Sequence, residues 1–298
     1  MSGLITALSL SDPTIKRMLM GTVLIGLTAS VIGVFSFLRK KSLVGDAISH
    51  AILPGVALAY IFTETKSTWV LMIGALIAGW LATQLMDGLS RTTKLKPDSV
   101  VAIVLSIFFS IGLVLISWIQ GNGTDSQSGL SDFLFGKIAA ISMDDVVLFA
   151  VVGSVLLILL LLKYRAFYFI AFNQEYMKVR GYSIRWNDLL ISTASILAIA
   201  MGIQAVGVVL MSALLIIPVA SARMLTFRII PLLVLSGCFG ITGAIGGAFG
   251  STLGANMPTG PWVIVVLFSI TVVTFCIRAF RERTPSVQKA TLKKPNDE

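Results

Sequence analysis

"GTVLIGLTASVIGVFSFLRKKSLVGDAISHAILPGVALAYIF", residues 21–62, sets two long apolar runs on either side of one basic knot, Arg39-Lys40-Lys41. A helix of about 20 apolar residues crosses roughly 30 Å of hydrocarbon, and each run is long enough to do so. Positive charge between two such runs marks a short loop held at a membrane face. The pattern recurs along the whole chain. Of 298 residues, 56% are hydrophobic and 12% charged, about half the charge of an ordinary soluble domain, and the mean hydropathy is +0.93. The fold class is therefore all-α, a polytopic transmembrane helical bundle. No segment between the apolar runs is long enough to build a large soluble core.

Nine spans are expected, at about 18–38, 45–63, 69–87, 98–119, 145–163, 187–203, 206–225, 231–250 and 261–280. The stretch from Gly202 to Gly207 barely separates the sixth from the seventh. These two form either a tight hairpin or one broken element, so eight spans is the alternative. Basic residues set the orientation. Nine spans with the C-terminus inside leave only Lys16, Arg17, Lys66 and Lys137 of the 23 outside, and the inverse arrangement reverses that bias. The N-terminus is thus expected outside and the C-terminus in the cytoplasm. This placement also accounts for the net charge of +9 without a nucleic-acid partner.

Smaller features fit the same frame. Ser11-Asp12-Pro13 reads as a helix cap with a first-turn proline leading straight into a span, not as a cleavable signal. Cys238 and Cys276 fall inside apolar segments and read as buried thiols rather than a disulfide. Asp98, Asp144, Asp145 and Asp188 begin spans, where a helix N-terminus favours negative charge without further function. The glycines of "GAIGGAFGSTLG", residues 243–254, read as permitting close helix contact. A polar Gly/Ser-rich loop, 121–132, falls outside, and a longer loop, 172–188, inside. The latter reads as a short amphipathic helix, about 174–181, capped by Gly181. Residues 1–283 make one transmembrane unit, and 284–298 a disordered cytoplasmic tail.

Within the second run, Asp46 and His50 stand four residues apart, on one face of a helix. His50 is the only histidine in the chain. Nine residues beyond Lys41 it lies roughly 13 Å deep, at 1.5 Å per residue. An ionisable group at that depth costs several kcal/mol and is a functional candidate by default. Pro54-Gly55 then interrupts the helix, as at transporter binding sites. Carboxylate oxygen and imidazole nitrogen together suit Mn²⁺, Zn²⁺ or Fe²⁺, and two ligands suit a way-station that must also release its ion. The alternative is a hydrogen bond from neutral His50 to Asp46 that holds helices in register. Gln204 and Ser212 are candidates to line a pathway, against the simpler use of such side chains in helix packing.

The segment "LRKKSLVGDAISHAILPGVALAY", residues 38–60, resembles the signature of the metal-ion permeases of bacterial ABC importers, the manganese/zinc/iron (ABC-3) family. "LSDFLFGKIAAIS" (130–142), "QAVGVVLMSALLIIPVASARML" (204–225) and "MPTGPWVIVV" (257–266) are similar to further stretches of that family, in the same order. The resemblance covers most of residues 15–280. It implies a homodimeric pore in the bacterial plasma membrane, a separate cytoplasmic ATPase, and an extracytoplasmic metal-binding protein that delivers the ion. It maps the metal ligands onto Asp46 and His50, and the ATPase-coupling helix onto Glu175, Tyr176, Val179 and Gly181. Asn173-Gln174 stands where relatives often show Asp-Pro.

The chain has no GxxxxGK[ST] phosphate loop, so energy must come from a partner or an ion gradient. On the loop, Tyr176, Met177 and Val179 are apolar anchors for an ATPase groove. The competing arrangement lays Lys178 and Arg180 on lipid headgroups. An ion-coupled secondary transporter is the alternative function. An intramembrane metallo-hydrolase is disfavoured, because a catalytic zinc takes three protein ligands. The expected protein is a permease rather than an enzyme.

Overall fold

The computed structural model of the chain describes residues 13–39, 41–65, 67–122, 136, 141–172, 174–252 and 259–283. Among them the secondary structure is helical throughout: α1 (Pro13–Leu38), α2 (Ser42–Ala51), α3 (Leu53–Thr63), α4 (Thr68–Thr92), α5 (Pro97–Asn122), α6 (Met143–Leu162), α7 (Tyr164–Phe172), α8 (Gln174–Val179), α9 (Ile184–Val206), α10 (Val208–Leu225), α11 (Ile229–Ser251) and α12 (Thr259–Arg283). Among the described residues nine stretches are long and apolar enough to cross a membrane, α2 and α3 together making one of them. The tail at 284–298 and the loop at 123–135 lie outside the described residues.

The sixth and seventh spans are a hairpin. The chain reverses at Gly207, whose φ of 82° and ψ of 166° are open only to glycine. A side chain on Gly202 would run into the sulfur of Met211. Those two residues lie five positions before and four after the reversal, so α9 and α10 run antiparallel. Gly136 sits directly on the Val206–Gly207 backbone, where a Cβ has no room. The eight-span alternative, one broken element, is thereby overturned.

Helix α1 occupies the centre and packs against α6, α9, α10 and α11. Small residues let the backbones meet there. A Cβ on Gly26 would touch the Gly240 carbonyl oxygen at 2.7 Å, and the Ser236 hydroxyl donates to the Ser30 carbonyl at 2.9 Å. Gly243, Gly246, Gly247 and Gly250 of α11 seat against Leu267, Val266, Val263 and Trp262 of α12. In lipid, such close approach replaces the hydrophobic driving force that water supplies to soluble helices. Cys238 and Cys276 are unpaired, but both are exposed rather than buried. The outer faces of α11 and α12 are apolar for lipid, so these thiols need no core position.

The bundle has two distinct ends. At one, the Thr68 hydroxyl donates to Asp145 Oδ1 at 2.7 Å and Gln204 Nε2 donates to the Thr68 carbonyl at 3.2 Å. Ser142 and Asp145 there form a capping box that starts α6. At the other end, Arg39 meets Asp188, and Lys41, Arg91 and Arg185 gather nearby. This second end is called the basic end below.

Candidate functional site

Helix α2 starts at Ser42, directly after the basic knot. Three of its faces are occupied. Ala47 and Ala51 pack with Ala82 and Met86 of α4 and Val100 and Val104 of α5. Gly45 faces Leu215 of α10, and Ile48 enters the main core. What remains on the helical wheel is the arc of Leu43, Asp46 and His50. It opens between α5 and α10 on the surface of the protomer.

On that arc, His50 Nε2 lies 3.9 Å from Asp46 Oδ1. The side chains are 24% and 39% exposed respectively. The separation exceeds a hydrogen bond, so the register-holding bond considered above is not formed. It is, however, shorter than two metal–ligand bonds of about 2.1 Å laid end to end. The His50 ring stands edge-on to Phe109 of α5, centroids 5.0 Å apart at 86°. Its Nδ1 is buried and has no hydrogen-bond partner among the described residues. A buried donor or acceptor left unsatisfied costs about 1–3 kcal/mol, which is characteristic of a group kept for a ligand.

The helix break falls at Ile52, two residues before the expected Pro54-Gly55. Ile52 donates its N–H to Ile48 at 3.0 Å and accepts from Val56 at 3.1 Å. Pro54 takes a first-turn position of α3, where its missing N–H is harmless. It cannot donate to the His50 carbonyl, which accepts from Ile52 instead. The bend rests on α5 at Gly112, where a Cβ would meet Leu53 Cβ at 2.8 Å and Pro54 Cδ at 3.1 Å. Gly55 does not make the break. It lies where α3 crosses α4, backbone against Gly74, and a Cβ there would meet Ala78 Cβ at 2.5 Å.

Among the described residues no group of three or more His, Cys, Asp or Glu side chains converges, and at this arc one protomer brings together Asp46 and His50. Gln204 and Ser212 are spent elsewhere. The first bonds the Thr68 carbonyl at the far end of the bundle, and the second donates to its own helix at Val209, 3.1 Å away.

The loop after α6 folds as two short helices, α7 and α8. Helix α8 ends in a Schellman motif: Tyr182 N–H reaches the Met177 carbonyl at 3.1 Å and Gly181 N–H the Lys178 carbonyl at 3.0 Å. Gly181 supplies the required left-handed residue, φ 75°. Met177 is not on the outer face, as the sequence suggested, but fully buried among Phe35, Phe167 and Ile170. Glu175, Tyr176 and Val179 stay outside, Val179 at 86% exposure. Tyr176 packs against Phe169, ring centroids 5.0 Å apart and inclined at 50°, and its hydroxyl accepts from Arg180 Nε at 3.0 Å.

Sequence reasoning missed one pairing. Asp188 does more than favour a helix N-terminus, for it lies beyond the first turn of α9. It binds Arg39, whose side chain is 7% exposed, and stands 4.0 Å from Lys41. The signal was its position: a fifth helical residue gains little from the helix dipole.

A family model described as the ABC 3 transport family matches residues 11–278. The manganese transport system membrane protein MntC of Bacillus subtilis is 40% identical over 258 residues, 87% of this chain, though the chain spans only 59% of that relative's length. The zinc transport system membrane protein TroC of Treponema pallidum is 36% identical over 270 residues, 90% of each chain. Among solved structures, PsaBC from Streptococcus pneumoniae in complex with Fab superposes with a TM-score of 0.81 at 28% identity, covering 92% of this chain and 95% of that one.

Proposed function

The chain belongs to the ABC 3 transport family, and from that membership we propose that it is the membrane-spanning permease of an ATP-binding-cassette importer for a divalent transition metal. The cargo is Mn²⁺, Zn²⁺ or Fe²⁺, and the chain is a multi-pass protein of the bacterial plasma membrane. A separate ATPase drives it, and an extracytoplasmic binding protein supplies the ion. The basic end faces the cytoplasm, as positive charge in short loops directs.

The observation that carries this reading is the Asp46–His50 pair, 3.9 Å apart with one imidazole nitrogen unsatisfied. A carboxylate offsets part of a dication's charge, while a neutral imidazole gives a borderline donor without adding charge. Together they lower the barrier to a passing ion without holding it. Because the pair faces outward, a second copy placed against the same arc encloses it. The permease therefore acts as a homodimer, with the pathway between the two copies and four ligands around it. Tyr176 and Val179, presented by α8 and held from behind by Met177, dock into the ATPase. Glu175 and Gly181 fix the start and end of that docking helix.

Uptake of radioactive Mn²⁺ or Zn²⁺ by cells carrying the whole transporter tests the reading. Asp46→Ala and His50→Ala are each expected to reduce uptake to background, with normal membrane levels and normal co-purification of the ATPase. Full uptake by either variant returns the pair to a packing role. Uptake that persists without the ATPase gene makes the chain an ion-coupled secondary transporter instead.

A further inference from the structure

A second feature lies at the basic end, on the other side of α4 from the packed face of α2. It is a cavity of about 1130 Å³ between the end of α1, the last three turns of α4, the end of α7 and the start of α9. It runs along α4 from Arg91 to Trp80, about 16 Å at 1.5 Å per residue. Neither Asp46 nor His50 lines it.

Its charge is unbalanced. Arg39, Lys41, Arg91, Lys178 and Arg185 line the walls against two carboxylates, Asp87 and Asp188. Asp188 is already engaged by Arg39 and Lys41. Among the described residues Arg91, Lys178 and Arg185 have no carboxylate within the 4.0 Å at which Lys41 meets Asp188. Burial lowers the pKa of Lys41, and the positive charges of Arg39 and Arg91 lower it further, against the pull of Asp87. Positive potential has thus accumulated inside a recess with polar side chains, Gln84 and Ser192, on its walls. Such a recess repels a dication, so it is not the metal's exit.

We propose that this cavity binds a phosphate-bearing anion, either the headgroup of an anionic membrane lipid or free phosphate. Basic recesses between membrane helices at the cytoplasmic boundary suit such groups, and guanidinium forks match phosphate oxygens two at a time. Trp80, at the deep end, gives an apolar wall where acyl chains begin. The site stands apart from metal import, because its test reads binding and not transport.

The full-length chain, purified in detergent, is exchanged with phosphatidylglycerol or phosphatidylcholine, and retained lipid is counted by native mass spectrometry. The wild type is expected to keep phosphatidylglycerol in preference. The double variant Arg91→Gln/Arg185→Gln is expected to lose on the order of 25-fold of that preference, since each basic side chain at an anionic headgroup is worth roughly fivefold. In a second arm, inorganic phosphate is titrated while the melting temperature is followed. A rise in the wild type that the variant lacks assigns the cavity to free phosphate. Arg91→Lys/Arg185→Lys, which keeps the charge but loses the forks, is expected to retain a reduced response in the responsive arm, between wild type and the Gln variant, and controls for folding. If wild type and the Gln variant behave alike in both arms, the proposal is wrong. It is equally wrong if the Gln variant's only change is lost co-purification of the ATPase, which makes the cavity a protein-docking surface.

Discussion

At position 50 an imidazole is placed where no neighbouring group among the described residues satisfies its buried Nδ1, and its Nε2 stops short of a hydrogen bond to Asp46. A pair that existed only to hold helices together would close that gap, because an unmade bond is costlier in lipid than in water. The open gap is consistent with the ion-bridging role proposed for the pair. This pairing was legible in the sequence, since residues four apart must share a helix face. The contact between Arg39 and Asp188 was not, because 149 positions separate them and only the fold brings the end of α1 to the start of α9. Its energetic role is correspondingly testable. Asp188→Ala leaves a guanidinium that is 7% exposed without its carboxylate, at an expected cost of about 3 kcal/mol. Thermal unfolding of the detergent-solubilised chain measures it. Arg39→Ala/Asp188→Ala, which removes both charges, is expected to recover part of the loss. Equal destabilisation by the single and double variants would show that the ion pair does not set the stability of this corner.

At the scale of elements, the sequence showed where helices are but not which way short ones turn. Apolar runs of membrane length announce themselves, and Gly181 announced the end of α8, since a left-handed cap favours glycine. A six-residue helix carries too few residues for its periodicity to separate an inner face from an outer one, so Met177 was placed with Tyr176 and Val179 on the docking side. The fold resolves the three: Met177 is the anchor, Tyr176 and Val179 the exposed surface. Likewise Pro54-Gly55 marked a break that in fact sits at Ile52, because proline settles into the first turn of the following helix rather than at the bend. And Gly207 decided between hairpin and broken helix through a backbone conformation invisible in composition. The division of labour on α8 predicts opposite outcomes for two alanine substitutions. Met177→Ala opens a cavity in the core beneath α7 and is expected to destabilise the chain by about 2–5 kcal/mol, read as a lowered melting temperature. Val179→Ala removes an exposed side chain and is expected to leave the melting temperature unchanged while reducing co-purification of the ATPase severalfold. Should Val179→Ala bind the ATPase as wild type does, α8 is not the docking element.

For the whole molecule, the decisive relation is between the outward arc of α2 and the two-ligand limit of one protomer. Basic residues gather at one end of the bundle, but the orientation proposed from them does not by itself close a pathway. A single chain leaves Leu43, Asp46 and His50 open to its surroundings, and a half-exposed aspartate facing acyl chains is untenable energetically. The two-fold axis proposed along that face would remove the difficulty, setting the same residues of two copies opposite one another and making two candidate ligands four. Leu43 lies one helical turn before Asp46 on this arc and is 51% exposed, so it reports the axis without touching the ligands. In a chain whose native thiols are replaced, Cys238→Ser/Cys276→Ser, the substitution Leu43→Cys is expected to give a covalent dimer with a bis-maleimide of roughly 10 Å reach. Val234→Cys on α11, an element not packed against α2 and equally open to solvent or lipid at 60% exposure, is expected to give none. The reaction is run on the complete transporter in membranes and read as a doubling of mass on denaturing gels. A dimer from Val234→Cys but not from Leu43→Cys would move the axis to the opposite side of the bundle, leave Asp46 and His50 facing lipid, and remove the ground for a pathway between two copies.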